Sequence, residues 1–329
     1  MTHQLSSSVL KLVHILNDCH SHPGTEIARE LGLSRTAVWK IIQRLKSFGA
    51  PIQSHPKGYI LHEYLSLLDK QKICHKTQNK NYTLDVFESL DSTNDYLKNK
   101  ENNANCPHFC LAEHQSHGRG RMERSWISPF GRNLYLSLSY TFSKDISELS
   151  GLSLVMGVIL AKCLESFNPF PNPKLSLSLK WPNDIYLCSE KMGGILIEIT
   201  AEAHGNCRTI IGIGLNINMK DASIKDIDQP WTSLEHHLAH TVDRNIVAAR
   251  VIDATLEGLE CFSQNGMNAF RNDWQKYDML HNKTILLKTS RGHISGMARG
   301  INELGHLLIE LPSGVIQSFS SGDTSVMKT

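Results

Sequence analysis

Gly118-Arg119-Gly120-Arg121, with Gln115 ahead of it and Arg124 just beyond, sets three guanidinium groups within six residues and spaces them with glycines. Glycine lets backbone approach a ligand closely and adopt positive φ, and the arginine fork pairs bidentately with carboxylate or phosphate oxygens. Read alone, such a run is equally a solvated basic turn. Two later stretches favour an anion site: Lys180-Trp181-Pro182-Asn183-Asp184 and Lys191-Met192-Gly193-Gly194, each at the edge of a predicted strand. Leu175, Leu177 and Leu179 alternate with Ser176, Ser178 and Lys180, which carries Lys180 to the polar face where the strand ends. Pro182 then stops the ladder and Asn183-Asp184 turns the chain.

Around these stretches the pattern predicts strands over 82–87, 109–114, 133–140, 194–200 and 209–216, with helices over 92–100 and 149–167. In the third strand Leu134, Leu136 and Leu138 alternate with Tyr135, Ser137 and Ser139. A mixed sheet with helices on it follows. Residues 234–262 are helical again, with Asp243 as an N-cap, and after Trp274 short strands separated by Gly292, Gly305 and Gly314 predict a small SH3-like β-barrel.

The first sixty residues read differently. Val9, Leu12, Val13 and Leu16 make one helical stripe. A second helix from Thr25 buries Ile27, Ala28 and Leu31 and ends at Gly32, and Ser34 caps a third that buries Val38, Ile41, Ile42 and Leu45. Arg35, Thr36, Trp39, Lys40 and Gln43 share the opposite face. A hairpin over 52–61, with Lys57 at its turn, follows as a wing. This is a winged helix-turn-helix, whose third helix fits the DNA major groove with Arg35 and Lys40 at bases or phosphates and Lys57 at a phosphate. A three-helix unit with a basic face can also dock a protein. The charge supports DNA: residues 1–62 hold seven Lys and Arg against three acids, while the whole chain is only +2. The expected class is α+β: a DNA-binding domain over 1–65, a catalytic domain over 66–278 and the small barrel over 279–329.

Composition excludes several classes. A chain 40% hydrophobic and 20% charged is an ordinary globular one. The eight cysteines form no CxxC pair, so neither a zinc site nor a disulfide framework is indicated. The most apolar run, 152–161, falls short of the ~18 residues of a membrane span, and no secretory signal opens the chain. A cytoplasmic protein with no membrane partner is expected. No GxxxxGK[ST] occurs, and Gly212-Ile213-Gly214 lacks the third glycine and the helix of a dinucleotide fingerprint. Chemistry by positioned cations suits a phosphorus centre that gathers negative charge in its transition state.

Asp91-Ser92-Thr93-Asn94, Gln115-x-x-Gly118-Arg119-Gly120-Arg121, Trp126-x-Ser128-Pro129-x-Gly131-x-Asn133-Leu134-Tyr135, Lys180-Trp181-Pro182-Asn183-Asp184, Lys191-Met192-Gly193-Gly194-Ile195 and Gly212-x-Gly214-x-Asn216 stand in one order. In that order they resemble the biotin–protein ligases, and among them those with an N-terminal helix-turn-helix that also repress the biotin operon. The resemblance spans nearly the whole chain and implies a biotin/lipoate ligase-like fold. It implies that biotin and MgATP give biotinyl-5′-AMP, from which the acyl group passes to a lysine of a biotin carboxyl carrier protein. By the same resemblance the adenylate is a corepressor, under which a homodimer binds operator DNA.

Carried over to these positions, Ser92, Thr93, Asn94 and Gln115 meet the ureido ring, while Arg119, Gly120, Arg121 and Lys191 meet the carboxylate and phosphate. Lys180 and Asn183 face the phosphates, and Asn216 and Trp231 the adenine. Asp184 orients the phosphates or helps hold Mg²⁺, or else caps its turn; Trp231 equally suits the core. Where the family continues Arg-Gly-Arg-Arg-Gly-Arg, Met122 and Glu123 stand here, which removes a cation, adds an anion and stiffens the backbone. A lipoate-type acyl ligase and a DNA-binding biotin sensor without ligase activity are the alternative readings.

Overall fold

The computed structural model describes residues 3–167, 176–201, 205–220, 227, 229–289 and 292–327. Strand β1 (His3–Gln4) precedes helices α1 (Ser7–Leu16), α2 (Gly24–Leu31) and α3 (Arg35–Ser47), and the hairpin β2 (Ile52–His55) and β3 (Gly58–Leu61) follows. Ser6 and Ser34 cap α1 and α3 through their hydroxyls, accepting from Val9 N at 3.3 Å and Ala37 N at 3.1 Å. Gly32 ends α2 at φ +64, a left-handed cap that costs glycine nothing. The predicted stripes are buried together. Leu31 and Ile41, expected inside, are only partly buried at the rim of this core.

Phe130 belongs to the same core, and its N–H donates to Phe48 O at 2.9 Å. The Phe48 ring stacks on His114 at 4.4 Å, and Arg44 at the end of α3 meets the buried Glu88 at 2.7 Å. The winged helix-turn-helix is therefore packed against the segment that follows it.

That segment runs through α4 (Lys70–Lys76), β4 (Thr83–Ser89), α5 (Thr93–Lys98), β5 (His108–Ala112), β6 (Leu134–Phe142), α6 (Leu152–Glu165), β7 (Leu177–Lys180), β8 (Asp184–Leu187), β9 (Glu190–Ala201) and β10 (Cys207–Leu215). It continues through α7 (Leu234–Leu238), α8 (Arg244–Asn265) and α9 (Arg271–Tyr277) to β11 (Thr284–Thr289), β12 (Gly292–Ile301), β13 (Leu307–Glu310), β14 (Ile316–Phe319) and β15 (Asp323–Val326). The expected Leu175 lies outside the described residues. The long helix expected over 234–262 is broken into α7 and α8, and β15 went unread in the sequence.

The chain divides into two compact units, 1–139 with 212–227 and 233–249, and 140–211 with 228–232 and 250–329. In the first, strands run in the order β1-β4-β5-β6-β10, with β4 and β5 parallel and β5 and β6 antiparallel. This is the mixed sheet the sequence predicts. In the second, β9, β8 and β7 are antiparallel neighbours, and a separate antiparallel sheet has the order β14-β13-β12-β11-β15.

Helix α6 is apolar and buried around most of its circumference, with Lys162 and Glu165 exposed on the remaining face. Together with the turn before it, from Ile146 to Glu165, it makes a 20-residue segment long and apolar enough to cross a membrane, with a window of mean hydropathy 1.6 of which 61% is buried inside the protein. The uninterrupted apolar run 152–161 is thus only the centre of a longer apolar segment.

Candidate functional site

In the first unit, the site is built on the first turn of α5. Ser92 is its N-cap, accepting from Asp95 N at 3.4 Å, so its hydroxyl serves the helix. Thr93 donates to Gln115 Oε1 through both its N–H, at 2.9 Å, and its hydroxyl, at 3.1 Å. Gln115 Nε2 in turn donates to Ser128 Oγ at 3.2 Å. Ser137 Oγ lies 2.7 Å from Thr93 Oγ1 and 2.6 Å from Asn94 Oδ1, with one proton to share between them. Thr93, Asn94, Ser128 and Ser137 are all buried, so these groups form a polar lining within the fold.

The glycines of β10 make room for it. A Cβ on Gly212 would stand 2.4 Å from Asn94 Oδ1, and one on Gly214 2.6 Å from the Trp126 ring. Only hydrogen fits at either place. Further along, Asn133 Nδ2 donates to Asn216 Oδ1 at 3.3 Å, and Asn216 O accepts from Leu234 N at 3.1 Å.

The arginine loop closes on itself: Gly120 N donates to Arg124 O at 2.7 Å and Trp126 N to Gly118 O at 2.8 Å. Gly118 is needed for close packing, since a Cβ there would sit 2.6 Å from Trp126 O. The left-handed positions are not the glycines, as the sequence suggested, but Met122 and Glu123, at φ +54 and +58. Arg119 pairs with Asp95 on α5, both side chains about two-fifths exposed. Arg121 is half-buried and Arg124 exposed. Beside Gln115, His114 accepts or donates at Ser89 Oγ, 2.8 Å away, and burial lowers its pKa to about 4.

In the second unit, β7 ends at Lys180, half-buried as the alternation predicts, with its ammonium 6.0 Å from the Tyr186 ring centroid. Trp181 is buried, donating from Nε1 to Gly305 O at 3.0 Å, and its carbonyl accepts from Thr324 Oγ1 at 3.0 Å. The C-terminal sheet thus anchors the Lys-Trp-Pro-Asn turn. Asn183 Nδ2 donates to Ile195 O at 2.9 Å. Lys191 Nζ meets Asp184 Oδ1 at 2.9 Å, and its backbone brackets Trp231 through Lys191 N to Pro230 O at 3.2 Å and Thr232 N to Lys191 O at 3.0 Å. Trp231 is half-buried rather than a core residue.

Asp184 is therefore already in an ion pair, and among the described residues no three His, Cys, Asp or Glu side chains converge on a metal position. Mg²⁺ keeps several waters and binds through one or two carboxylates plus phosphates. One carboxylate, shared with Lys191, is what Asp184 offers such an ion.

On the helix-turn-helix, Arg35, Thr36, Trp39 and Lys40 are exposed together on α3, Gln43 is half-buried beside them, and Lys57 is exposed at the hairpin turn. Ser137, Ser128 and Asp95 join the site although nothing in their local sequence singles them out as ligand contacts. For Ser137 the nearest signal is its place in the Tyr135-Ser137-Ser139 face of β6.

The chain matches the Biotin/lipoate A/B protein ligase family over residues 86–218, an HTH domain over 9–60 and a Biotin protein ligase C terminal domain over 280–327. It is similar to the bifunctional ligase/repressor BirA of Salmonella typhimurium, at 36% identity over 96% of this chain and 97% of that protein. With BirA of Escherichia coli the identity is 34%, over 96% of each. Among solved structures, biotin protein ligase from Aquifex aeolicus in complex with biotin and ATP covers 75% of this chain and 99% of its own, at TM-score 0.63 and 28% identity. Near-full-length similarity of this order, on top of the lining and the basic loop, leaves one conclusion: the chain belongs to the biotin protein ligase family.

Proposed function

We propose that this protein ligates biotin to a lysine of a biotin carboxyl carrier protein and, carrying biotinyl-5′-AMP as corepressor, represses transcription of biotin biosynthesis. The observation that carries the reading is the convergence of Gln115 and the buried Thr93, Asn94 and Ser137, a set of donors and acceptors suited to a ureido ring whose polar edges must be paired once the bicycle is buried. Matches to both a ligase and a helix-turn-helix domain support the double role.

In the first step a biotin carboxylate oxygen bonds to the α-phosphorus of ATP, supplied as MgATP, and pyrophosphate leaves. In the second the acceptor amine bonds to the acyl carbon, AMP leaves and the surplus amine proton goes to solvent. Arg119, Arg121 and Lys191, with the Gly120 backbone, offset the repulsion between carboxylate and phosphate; Lys180 and Asn183 hold phosphate oxygens; Asn216 and Trp231 meet the adenine. Asp184 keeps Lys191 oriented through their ion pair. The C-terminal lobe, which we read as an SH3-like barrel, supports the Lys180–Asn183 turn.

For repression, two adenylate-bound copies pair and set two α3 helices about 34 Å apart on an operator. Arg35, Thr36, Trp39, Lys40 and Gln43 then face the major groove, and Lys57 a phosphate. The protein acts in the cytoplasm, in three domains over 1–65, 66–278 and 279–329.

The test is incubation with biotin, MgATP and a carrier domain, followed by mass analysis of the acceptor lysine. Gain of a biotinyl group is expected. Gain of a lipoyl group, from lipoate in its place, would make it a lipoate-type ligase, and absence of biotin-dependent pyrophosphate exchange would make it a sensor.

A further inference from the structure

Outside the lining, one carboxylate oxygen gathers three elements. Asp85 Oδ2, on β4, accepts from the Tyr96 hydroxyl at 2.8 Å, from Lys100 Nζ at 2.6 Å and from His108 Nε2 at 2.8 Å. Tyr96 lies in α5, Lys100 two residues beyond its end, and His108 opens β5. Lys100 Nζ also donates to the Tyr96 hydroxyl at 3.0 Å, and the Tyr96 ring packs edge-on against Phe87 at 4.7 Å. Burial alone would raise the Asp85 pKa, but the hydrogen bonds from Lys100, Tyr96 and His108 outweigh it and hold it at about 2. Burial lowers the His108 pKa, and because a carboxylate oxygen only accepts, the proton of that bond lies on Nε2.

Helix α5 has only six residues, too few to hold itself in water. Its first turn carries Thr93 and Asn94 into the lining, where Asn94 Oδ1 has the space of a missing Cβ at Gly212 and no more. A small rotation of so short a helix would drive Asn94 into β10 or withdraw it from Ser137. Something must fix the far end. Tyr96 and Lys100 are that end, and Asp85 is what they are tied to.

We infer that Asp85 is a positioning residue for biotin: by tying Tyr96, Lys100 and His108 to β4 it sets the angle of α5, and with it the placement of Thr93 and Asn94. The inference rests on the reading that Thr93 and Asn94 meet the ureido ring, and it goes further by placing part of biotin affinity in a group that touches no substrate.

The test is biotin-dependent pyrophosphate exchange on the full-length chain, with KM for biotin, KM for ATP and kcat measured separately for Asp85→Asn, Tyr96→Phe and Asn94→Ala, each checked by circular dichroism. For Asp85→Asn, KM for biotin rises about tenfold, while KM for ATP and kcat stay within about twofold. Tyr96→Phe, which removes one of the three donors, shifts the same constant by a smaller factor. Asp85→Glu, which keeps the charge, recovers part of the loss. A folded Asp85→Asn with unchanged KM for biotin overturns the inference, as does a parallel rise in both KM values, which signals general loosening. If Asn94→Ala leaves KM for biotin unchanged, the reading of the lining itself fails, whatever Asp85 does.

Discussion

Arg244 Nη2 donates to Glu113 Oε2 at 2.6 Å, and neither side chain reaches solvent. Each side chain is held by further hydrogen bonds: Arg244 Nε donates to Ser66 O and Nη1 to Asn133 O, each at 2.9 Å, while Glu113 Oε1 accepts from Leu68 N at 2.5 Å. One buried pair thus joins the connector after the wing, the end of β5, the residue before β6 and the start of α8. Glu113 stands two residues before Gln115, so the pair also braces the base of the lining. Removing one partner strands the other as a buried charge, which costs about 3–5 kcal/mol, whereas replacing both with apolar residues leaves no stranded charge. In urea unfolding, Glu113→Leu and Arg244→Met are each expected to lose about that much, and the double variant to recover much of it. Single losses below about 1 kcal/mol would mean the pair contributes little.

His114 makes stability depend on pH. Its folded pKa, depressed to about 4 by burial, lies below the unfolded value of 6.5. The neutral form is the folded one, so stability is intact above pH 6.5 and falls as pH drops from 6.5 towards 4. The loss is on the order of 2 kcal/mol, discounted because the ring is only partly buried. Since the ring stacks on Phe48, protonation is expected to weaken that contact with the helix-turn-helix as well. Urea midpoints at pH 7.5 and 5.0 should diverge in the wild type and converge in His114→Phe, which keeps the stack and cannot titrate. Equal slopes in the two proteins would assign the pH dependence elsewhere.

How much of this was legible in the sequence differs by element. The helix-turn-helix stripes and the end of β7 at Lys180 were readable because periodicity reports one buried face directly, whereas β6 was readable as a strand from its alternation although both its faces are buried. The pairing of Arg244 with Glu113, 131 residues apart, was not, because no local pattern encodes a long-range partner. Asp95 was hidden for a related reason: on a six-residue helix it reads as a first-turn acid favouring the dipole, and only the fold brings Arg119 to it. The loop glycines misled, since Gly118 is required by packing rather than by φ.

The Arg119–Asp95 pair bears on affinity. Both groups are substantially exposed, so the pair is worth about 0–1 kcal/mol and yields readily to a stronger anion. Asp95→Asn removes that competitor, and KM for biotin in pyrophosphate exchange is expected to fall about two- to fivefold at low salt, a gain that shrinks in 0.5 M salt as charges are screened. A rise in KM instead would mean that Asp95 presents Arg119 to the ligand.

Glu123 occupies a left-handed position at φ +58, where an L-residue pays roughly 1–2 kcal/mol that glycine does not. Its carboxylate also adds negative charge to a loop read as anion-binding. Glu123→Gln isolates the charge, and Glu123→Gly adds the relaxed backbone. Measured as release of biotinyl-5′-AMP, both variants should retain it longer than wild type, Glu123→Gly the longer by about threefold or more. Identical retention in the two variants would show that backbone conformation plays no part.

Positive charge from the Gly118–Arg124 loop, acting on the carboxylate and α-phosphate, is central to the proposed adenylation. The most direct measurement is the rate of biotinyl-5′-AMP synthesis by Arg119→Met at saturating biotin and MgATP, with folding checked by circular dichroism. A fall of about 10²–10³ in kcat is predicted. A folded variant that synthesises the adenylate within twofold of the wild-type rate would contradict the account.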